Sequence, residues 1–313
     1  MNKIAIIIVF YALFGGHGRL LAGPLQRWGY LLNAPAVSDP FIESAMERYD
    51  IIAVTGCAFS GDGRLAIKNA QLLKRLMALS VRKKVTVYPV VSFTSAEQGA
   101  RLLKDGLSRS RAILDLIRMC GQLKLRGIHL DFEYLPRENA RLLAAFLSEL
   151  RSRYRGTVTM AVFPQVEFPE KWSRFHDLEM ICPHLDGIVI MCYDLHGLHT
   201  GPGPVTDVKW ADKNIRHALK FMKPGSIWLG IPAYGYRWTD SRAGALSAHE
   251  GVRLSRDHNA RRDGSGNLTF SYPADRGMTR VYISDRQTRT GLEELARGHN
   301  LAGVSVWRIG FED

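Results

Sequence analysis

The chain has 313 residues, with 42 Lys and Arg against 30 Asp and Glu and a formal net charge of +12. Its 46% hydrophobic and 23% charged residues are typical of a globular protein and exclude a wholly disordered, collagen-like or coiled-coil chain. Four cysteines are too few for a disulfide-dense scaffold, and no basic run is interleaved with aromatic residues, as a nucleic-acid-binding protein would require.

The N-terminus has the pattern of a secretory signal. Lys3 precedes an apolar run over residues 4–14, which Gly15 and Gly16 end, and a positive start before a short apolar core is typical of such signals. The run is shorter than the about 20 apolar residues of a membrane span; an uncleaved anchor and a first barrel strand are the alternatives. We assign residues 1–23 to the signal, with the cleavage point open. We expect a secreted, periplasmic or cell-envelope protein with no stable membrane span after processing.

After the signal, short β-branched runs alternate with longer helical patterns. Amphipathic helices are predicted over 70–79, 112–123 and 139–154. The predicted strands, many of them apolar on both faces as buried parallel strands require, are 28–32, 51–58, 85–91, 127–132, 157–162, 187–191, 227–231 and 303–307. Eight strand–helix repeats predict an α/β fold, a single (β/α)8 TIM barrel over residues 24–313, rather than an open doubly wound sheet.

A loop-rich stretch at about 239–279 interrupts this alternation. It predicts a hairpin-bearing insert between the seventh and eighth strands. The insert would either wall a cleft at the C-terminal ends of the strands or be a plain surface excursion.

The four cysteines show no metal-type spacing. Cys57 and Cys192 lie at apolar strand ends, where a buried free thiol is the default. We therefore expect no essential disulfide, no metal and no organic cofactor, although four cysteines allow three pairings.

The fourth predicted strand carries the candidate chemistry. Residues two apart share one face of a strand, so His129, Asp131 and Glu133 point the same way. If that face is the barrel interior, Glu133 lies at the C-terminal mouth, where such barrels have their active sites. If the apolar residues between them face inward instead, the carboxylates form a surface pair, and periodicity leaves both open. Two crowded carboxylates cannot both ionise freely, and the protonated acid that results suits glycosidic bond cleavage.

Segment 126–134 resembles the fourth-strand signature of glycoside hydrolase family 18, the chitinase family, usually written Asp-Gly-x-Asp-x-Asp-x-Glu. Three further segments, 191–194, 229–235 and 303–307, resemble the family's sixth, seventh and eighth strands in the same order. The form Asp-Phe-Glu-Tyr-Leu at 131–135 is also similar to the bacterial branch that includes spore-cortex-lytic N-acetylglucosaminidases. The resemblance covers almost the whole chain after the signal.

The resemblance implies a substrate-assisted, retaining mechanism. Glu133 would protonate the leaving glycosidic oxygen and later act as base for the incoming water. The substrate's own 2-acetamido carbonyl would attack C1, while Asp131 would hold the acetamido N–H and Tyr193 would bind the acetamido oxygen. A well-oriented intramolecular attack has an effective molarity of about 10⁵–10⁸ M, so alignment alone can supply much of the rate.

The resemblance also implies a sugar-binding pocket. Trp307 would form an apolar floor under the sugar, with barrel-core packing as the alternative. Asp194 would bind sugar hydroxyls. The other residues expected to line the cleft, each with a core position as the alternative, are Tyr30, Met160, Met191 and Tyr234.

Two residues depart from the family's signature, because Arg126 and His129 stand where the family usually has Asp. We include His129 among the substrate-binding candidates. It would either pair with Asp131 and hold it ionised, or fill the space with one hydrogen bond, and we expect it to shift the pH optimum without abolishing activity. The third strand also lacks the family's usual Gly-Gly, which would reshape one side of the cleft.

These features predict an exported, monomeric glycosidase of the chitinase or β-N-acetylglucosaminidase type. Its substrate would be a β-linked N-acetylglucosamine glycan of chitin or peptidoglycan, and it would have no nucleic-acid partner. The alternative is a non-catalytic, lectin-like member of the same fold; such relatives usually lose the acid, whereas Glu133 is present.

Overall fold

A closed barrel of eight parallel strands forms the body of the protein and confirms the predicted fold. The computed structural model describes residues 24–34, 37–240, 242–275 and 277–313, so the predicted signal lies outside the described residues. The barrel strands are β1 (Gln26–Leu31), β2 (Ile51–Phe59), β4 (Thr86–Phe93), β5 (Gly127–Leu130), β6 (Thr157–Val162), β7 (Gly187–Met191), β8 (Ile227–Pro232) and β14 (Gly303–Trp307). Strand β1 pairs with both β2 and β14, which closes the sheet. A short strand, β3 (Leu65–Ile67), runs antiparallel to β2 outside the barrel.

Helices connect the strands and cover the barrel. They are α1 (Asp39–Arg48), α2 (Ala70–Lys83), α3 (Ala96–Lys104), α4 (Gly106–Leu123), α5 (Ala140–Arg153), α6 (Glu170–Ser173), α7 (Leu178–Ile181), α8 (Val208–Ala218), α9 (Ala248–Ser255) and α10 (Arg286–Gly298). Helix α4 begins earlier than predicted because the Asp105 side chain accepts a hydrogen bond from the Ser108 backbone N–H and caps it there. Short 3-10 turns lie at Arg137–Asn139, Cys182–His184 and Pro224–Ser226.

Alternate residues of each strand belong to two different apolar layers. Ile128, Leu130 and Phe132 pack in the large core between the barrel and the helices. The residues between them therefore face the barrel interior, and the alternative of a surface carboxylate pair is wrong. Strand β5 ends at Leu130, so Asp131 and Glu133 follow directly at the C-terminal mouth.

The insert between the seventh and eighth barrel strands, β8 and β14, is larger than one hairpin and begins at Tyr234. It is an antiparallel sheet of order β10-β9-β13-β12-β11 that also carries helix α9. Its strands are β9 (Tyr234–Thr239), β10 (Arg242–Ser247), β11 (Arg261–Arg262), β12 (Leu268–Ala274) and β13 (Gly277–Ile283). At Gly235 an added Cβ would lie 1.9 Å from the Tyr282 carbonyl oxygen, so only glycine permits this close pairing of β9 with β13.

The described residues contain no disulfide, no helix suited to span a membrane and no metal-binding cluster. All four cysteines are buried and unpaired. In the described ranges no helix combines the length and apolar character needed to cross a membrane. The same ranges contain no cluster of three or more His, Cys, Asp or Glu side chains placed to hold a metal ion.

Candidate active site

A pocket of about 250 Å³ opens at the C-terminal ends of the barrel strands. It contains the side chains of the fourth-strand motif, which is where catalytic groups of such barrels lie. Its lining residues are Tyr30, Asp131, Glu133, Tyr134, Phe163, Phe168, Trp172, Met191, Tyr193, Asp194, Gly197, Leu198, His199, Thr200, Tyr236 and Trp307.

Two adjacent carboxyl groups form the polar floor of this pocket. Burial raises the pKa of Asp131. Burial, the neighbouring Asp131 charge and a hydrogen bond with Asp131 raise the pKa of Glu133 well above its ordinary value. A charge on one carboxylate disfavours a charge on the other, so this contact favours a protonated acid in the pair. The Asp131 Oδ1 atom is buried and finds no hydrogen-bond partner in the described part of the chain.

An apolar and aromatic surface surrounds the carboxyl pair. Trp307 is half-buried and packs edge-on against Tyr30, with their ring centroids 5.2 Å apart. Met191 and Tyr193 lie in one cluster that also contacts Trp307. Burial raises the pKa of Tyr193 well above its ordinary value, so its hydroxyl keeps its proton and can donate a hydrogen bond into the pocket.

Asp194 faces the pocket beside these residues and is held by two tyrosines. Its backbone has a φ of 58°, which turns the chain at the end of β7. The hydroxyls of Tyr234 and Tyr236 both donate to Asp194 Oδ1, at 2.6 and 2.7 Å. Tyr234 was expected to line the cleft, but its buried ring lies one layer behind it and positions Asp194. Tyr236, which sequence reasoning missed, is the member of this pair that lines the pocket.

A second group of pocket residues was not predicted. Tyr134 follows Glu133 with a φ of 59°, and its ring packs 5.4 Å from that of Phe163 and 6.0 Å from that of Trp172. Phe163 directly follows β6, and Trp172 lies in the short helix α6. The only sequence signal for this wall is the concentration of aromatic residues between β6 and α7, which is equally typical of core packing.

His129 does not reach the pocket. Its imidazole is fully buried in the barrel interior, with Nε2 2.8 Å from the Tyr30 hydroxyl and Nδ1 2.9 Å from the Thr159 hydroxyl. Of the two alternatives for His129, pairing with Asp131 is wrong, because both ring nitrogens are occupied elsewhere; the imidazole fills the space, with two hydrogen bonds rather than one. Burial lowers the pKa of His129 to about 3, so the ring is neutral at working pH and supplies no charge to hold Asp131 ionised.

The two methionines expected to line the cleft lie in different places. Met191 lines the pocket, whereas Met160 packs in the outer core between the barrel and the helices. The prediction of Met160 as a pocket residue is therefore wrong. Strand β6 alternates, with Thr157 and Thr159 on one face and Val158, Met160 and Val162 on the other, so its parity favours the core position that the structure shows.

Replacing Met160 by Ala is therefore expected to lower the free energy of unfolding by about 2–5 kcal/mol, because a cavity is left in a close-packed core, while KM changes little. Met191→Ala is the matched control, for which we expect a raised KM. Urea denaturation and steady-state kinetics of both variants measure the difference. A raised KM in Met160→Ala without loss of stability would contradict the assignment.

Comparison with known proteins identifies relatives of this chain. The family model for glycosyl hydrolases family 18 matches residues 6–312. The chain is 26% identical over 269 residues to the uncharacterized glycosylase YvbX of Bacillus subtilis, covering 78% of each protein. It is 27% identical over 238 residues to the cortical fragment-lytic enzyme of Bacillus subtilis, covering 69% of this chain and 54% of that enzyme. It therefore spans about half the length of the latter relative.

Solved structures share the barrel. A chitinase from Chromobacterium violaceum superposes with a TM-score of 0.85 at 21% identity, covering 93% of this chain and 96% of that one. The spore cortex-lytic enzyme SleL of Bacillus cereus superposes with a TM-score of 0.82 at 20% identity, covering 92% of this chain and 71% of that one. At these identities the likeness establishes the fold.

Proposed function

The chain belongs to glycosyl hydrolases family 18 and is a glycosidase, and we propose that it cleaves β-linked N-acetylglucosamine glycans by substrate-assisted, retaining catalysis. The observation that carries the proposal is the carboxyl pair of Asp131 and Glu133. The pair lies at the floor of a pocket walled by Tyr193 and Trp307, and burial raises the pKa of both carboxyl groups.

In this mechanism Glu133 is the general acid. Burial and the neighbouring Asp131 raise its pKa well above the ordinary value, which favours the protonated form that donates to the glycosidic oxygen as the C1–O bond breaks. The resulting carboxylate then accepts a proton from the water that attacks C1. One residue thus serves both steps, as microscopic reversibility requires.

Asp131 has the free acceptor that the substrate needs. Its Oδ1 atom is buried without a partner, and a buried acceptor left unpaired is costly. The acetamido N–H of a bound sugar would satisfy it. That hydrogen bond turns the acetamido carbonyl oxygen toward C1, where it attacks to give an oxazolinium ion, and the Asp131 carboxylate stabilises the positive charge. No protein nucleophile is required.

Tyr193 and Trp307 would position the sugar. The protonated Tyr193 hydroxyl can donate to the acetamido carbonyl oxygen, and the Trp307 ring offers an apolar face to the sugar's C–H groups. Asp194, held by two tyrosine hydroxyls at one oxygen, would accept from sugar hydroxyls with the other.

A substrate without the acetyl group tests the chemistry. We expect the enzyme to cleave an N-acetylglucosamine oligomer but not the matched glucosamine oligomer, because only the former carries the nucleophile. Product masses measure cleavage, and NMR of the first product is expected to show the β-anomer. Cleavage of both oligomers at similar rates, or an initial α-anomer, would contradict substrate assistance.

The polymer is chitin or peptidoglycan, and the relatives' names, a chitinase and a cortical fragment-lytic enzyme, support either. Digesting both polymers in parallel and identifying the products by mass distinguishes them. A lectin-like protein would bind the glycans and release no product.

We also propose that the protein acts outside the cytoplasm. The support is the sequence pattern of Lys3 followed by the apolar run over residues 4–14. Cell fractionation with N-terminal sequencing of the recovered protein tests export and locates any cleavage.

A further inference from the structure

His129 lies beneath the catalytic pair, in a chain of hydrogen bonds that crosses the barrel. The imidazole on β5 joins the Tyr30 hydroxyl of β1 to the Thr159 hydroxyl of β6. All three side chains are buried, and the Trp28 ring packs edge-on against the imidazole with centroids 4.9 Å apart. The family signature usually has Asp at this position, where this chain has His129.

The direction of each hydrogen bond follows from the one proton that Thr159 carries. The Thr159 hydroxyl donates to the Ile128 carbonyl oxygen at 3.3 Å, so toward His129 it can only accept. Nδ1 of His129 must therefore carry the hydrogen. A neutral imidazole then has only a lone pair at Nε2, and the Tyr30 hydroxyl must donate to it.

The Tyr30 proton is thereby directed away from the pocket floor. Tyr30 lines the pocket and is close enough to Asp131 and Glu133 for their charges to raise its pKa. With its only proton given to His129, it cannot donate to Asp131. This agrees with the Asp131 Oδ1 atom, which has no partner in the part of the chain that the structure describes.

We propose that His129 is a positioning residue that, together with Thr159, holds the Tyr30 hydroxyl proton away from Asp131 and so keeps Asp131 Oδ1 open for the substrate's acetamido N–H. The inference rests on the proposed function, since it concerns the same acceptor. Without an acceptor at Nε2, the Tyr30 hydroxyl would turn its proton to the nearby Asp131 carboxylate and compete with the substrate.

A double-mutant cycle on His129 and Tyr30 tests this. His129→Phe fills the space but accepts no hydrogen bond, and we expect kcat/KM on an N-acetylglucosamine oligomer to fall about 10–100-fold. Adding Tyr30→Phe removes the competing proton and is expected to recover about fivefold or more of that loss. A double variant as impaired as, or more impaired than, His129→Phe would overturn the proposal, because a merely structural role predicts additive losses.

Two further variants keep the test decisive if His129→Phe does not fold, which circular dichroism and thermal melting would reveal. Thr159→Val retains the imidazole but removes the group that keeps the hydrogen on Nδ1. We expect it to lose activity and to be rescued by Tyr30→Phe in the same way. His129→Gln can present an acceptor to Tyr30 and is expected to retain more activity than Thr159→Val. The reverse order would overturn the proposal, as would no rescue of Thr159→Val.

Binding measurements separate this inference from the proposed function. The same cycle is read by calorimetry in a Glu133→Gln background, with the N-acetylglucosamine trimer and the glucosamine trimer as probes. We expect His129→Phe or Thr159→Val to weaken binding of the acetylated trimer alone, and Tyr30→Phe to restore it. Equal weakening of both trimers would overturn the inference even if the enzyme is active. If the wild type is inactive but Tyr30→Phe still restores binding of the acetylated trimer alone, the proposed catalytic function is wrong and this inference stands.

Discussion

Glu133→Gln is expected to lower kcat/KM on an N-acetylglucosamine oligomer by at least about 10²–10⁴-fold, the usual contribution of a general acid. Glutamine preserves the shape of the side chain and can donate a hydrogen bond, but it cannot transfer a proton to the leaving oxygen. Binding of the oligomer is expected to persist, since the pocket walls are unchanged. Release of a chromogenic leaving group and calorimetric binding measure the two effects.

The control is Glu138→Gln, an exposed glutamate in the turn that follows the same strand. It makes the same change of a carboxyl group to an amide at the same end of the barrel, and we expect wild-type kinetics. Wild-type activity in Glu133→Gln would eliminate this residue as the acid. A wild type as inactive as Glu133→Gln would favour the lectin-like alternative instead.

Asp131→Asn is expected to cost about 10²–10³-fold in kcat, the effect typical of removing one oriented group that stabilises charge in the transition state. Asparagine can still accept from the acetamido N–H, but it carries no charge to stabilise the oxazolinium ion. We therefore expect KM to change much less than kcat. Steady-state kinetics on an activated oligomer and on a natural one measure the loss.

The same substitution is expected to move the pH dependence. Burial raises the pKa of Glu133 first, and the Asp131 charge and hydrogen bond raise it further. Activity needs protonated Glu133, so it is lost as the pH rises through that pKa. Removing the Asp131 charge lowers the pKa of Glu133, and the alkaline limb of the pH–rate profile should move to lower pH. An alkaline limb that stays in place or moves to higher pH would show that the two carboxyl groups are not coupled.

Much of the fold could be predicted because the barrel repeats one local pattern. The predicted strands 157–162, 187–191 and 303–307 have the bounds that the structure shows, since each is a short run rich in β-branched residues. The insert was harder to predict, because antiparallel pairing of β9 with β13 joins residues far apart in the sequence. The sequence indicated the insert only through its loop-rich composition.

The active site, like the fold, was predictable only where the signal is local in the sequence. The spacing of Asp131 and Glu133, with their likeness to a known signature, was enough to predict a carboxyl pair on one strand face, and local periodicity supplies that information. It could not choose the inward face, because the intervening residues are apolar and both layers of the barrel are apolar too. The position of Met160 was mistaken although local periodicity could have found it, because Met160 lies on the opposite face of β6 from Thr157 and Thr159.

What the sequence by itself determined is therefore the barrel, its strand order and the identity of the acidic motif, all of which depend on residues near one another in the chain. Only the tertiary structure decided which groups meet in space: that His129 bonds Tyr30 and Thr159 rather than Asp131, that Tyr234 and Tyr236 hold Asp194, and that an aromatic wall after β6 completes the pocket. Each of these contacts joins side chains from different strands or loops, so it exists only after the sheet has closed.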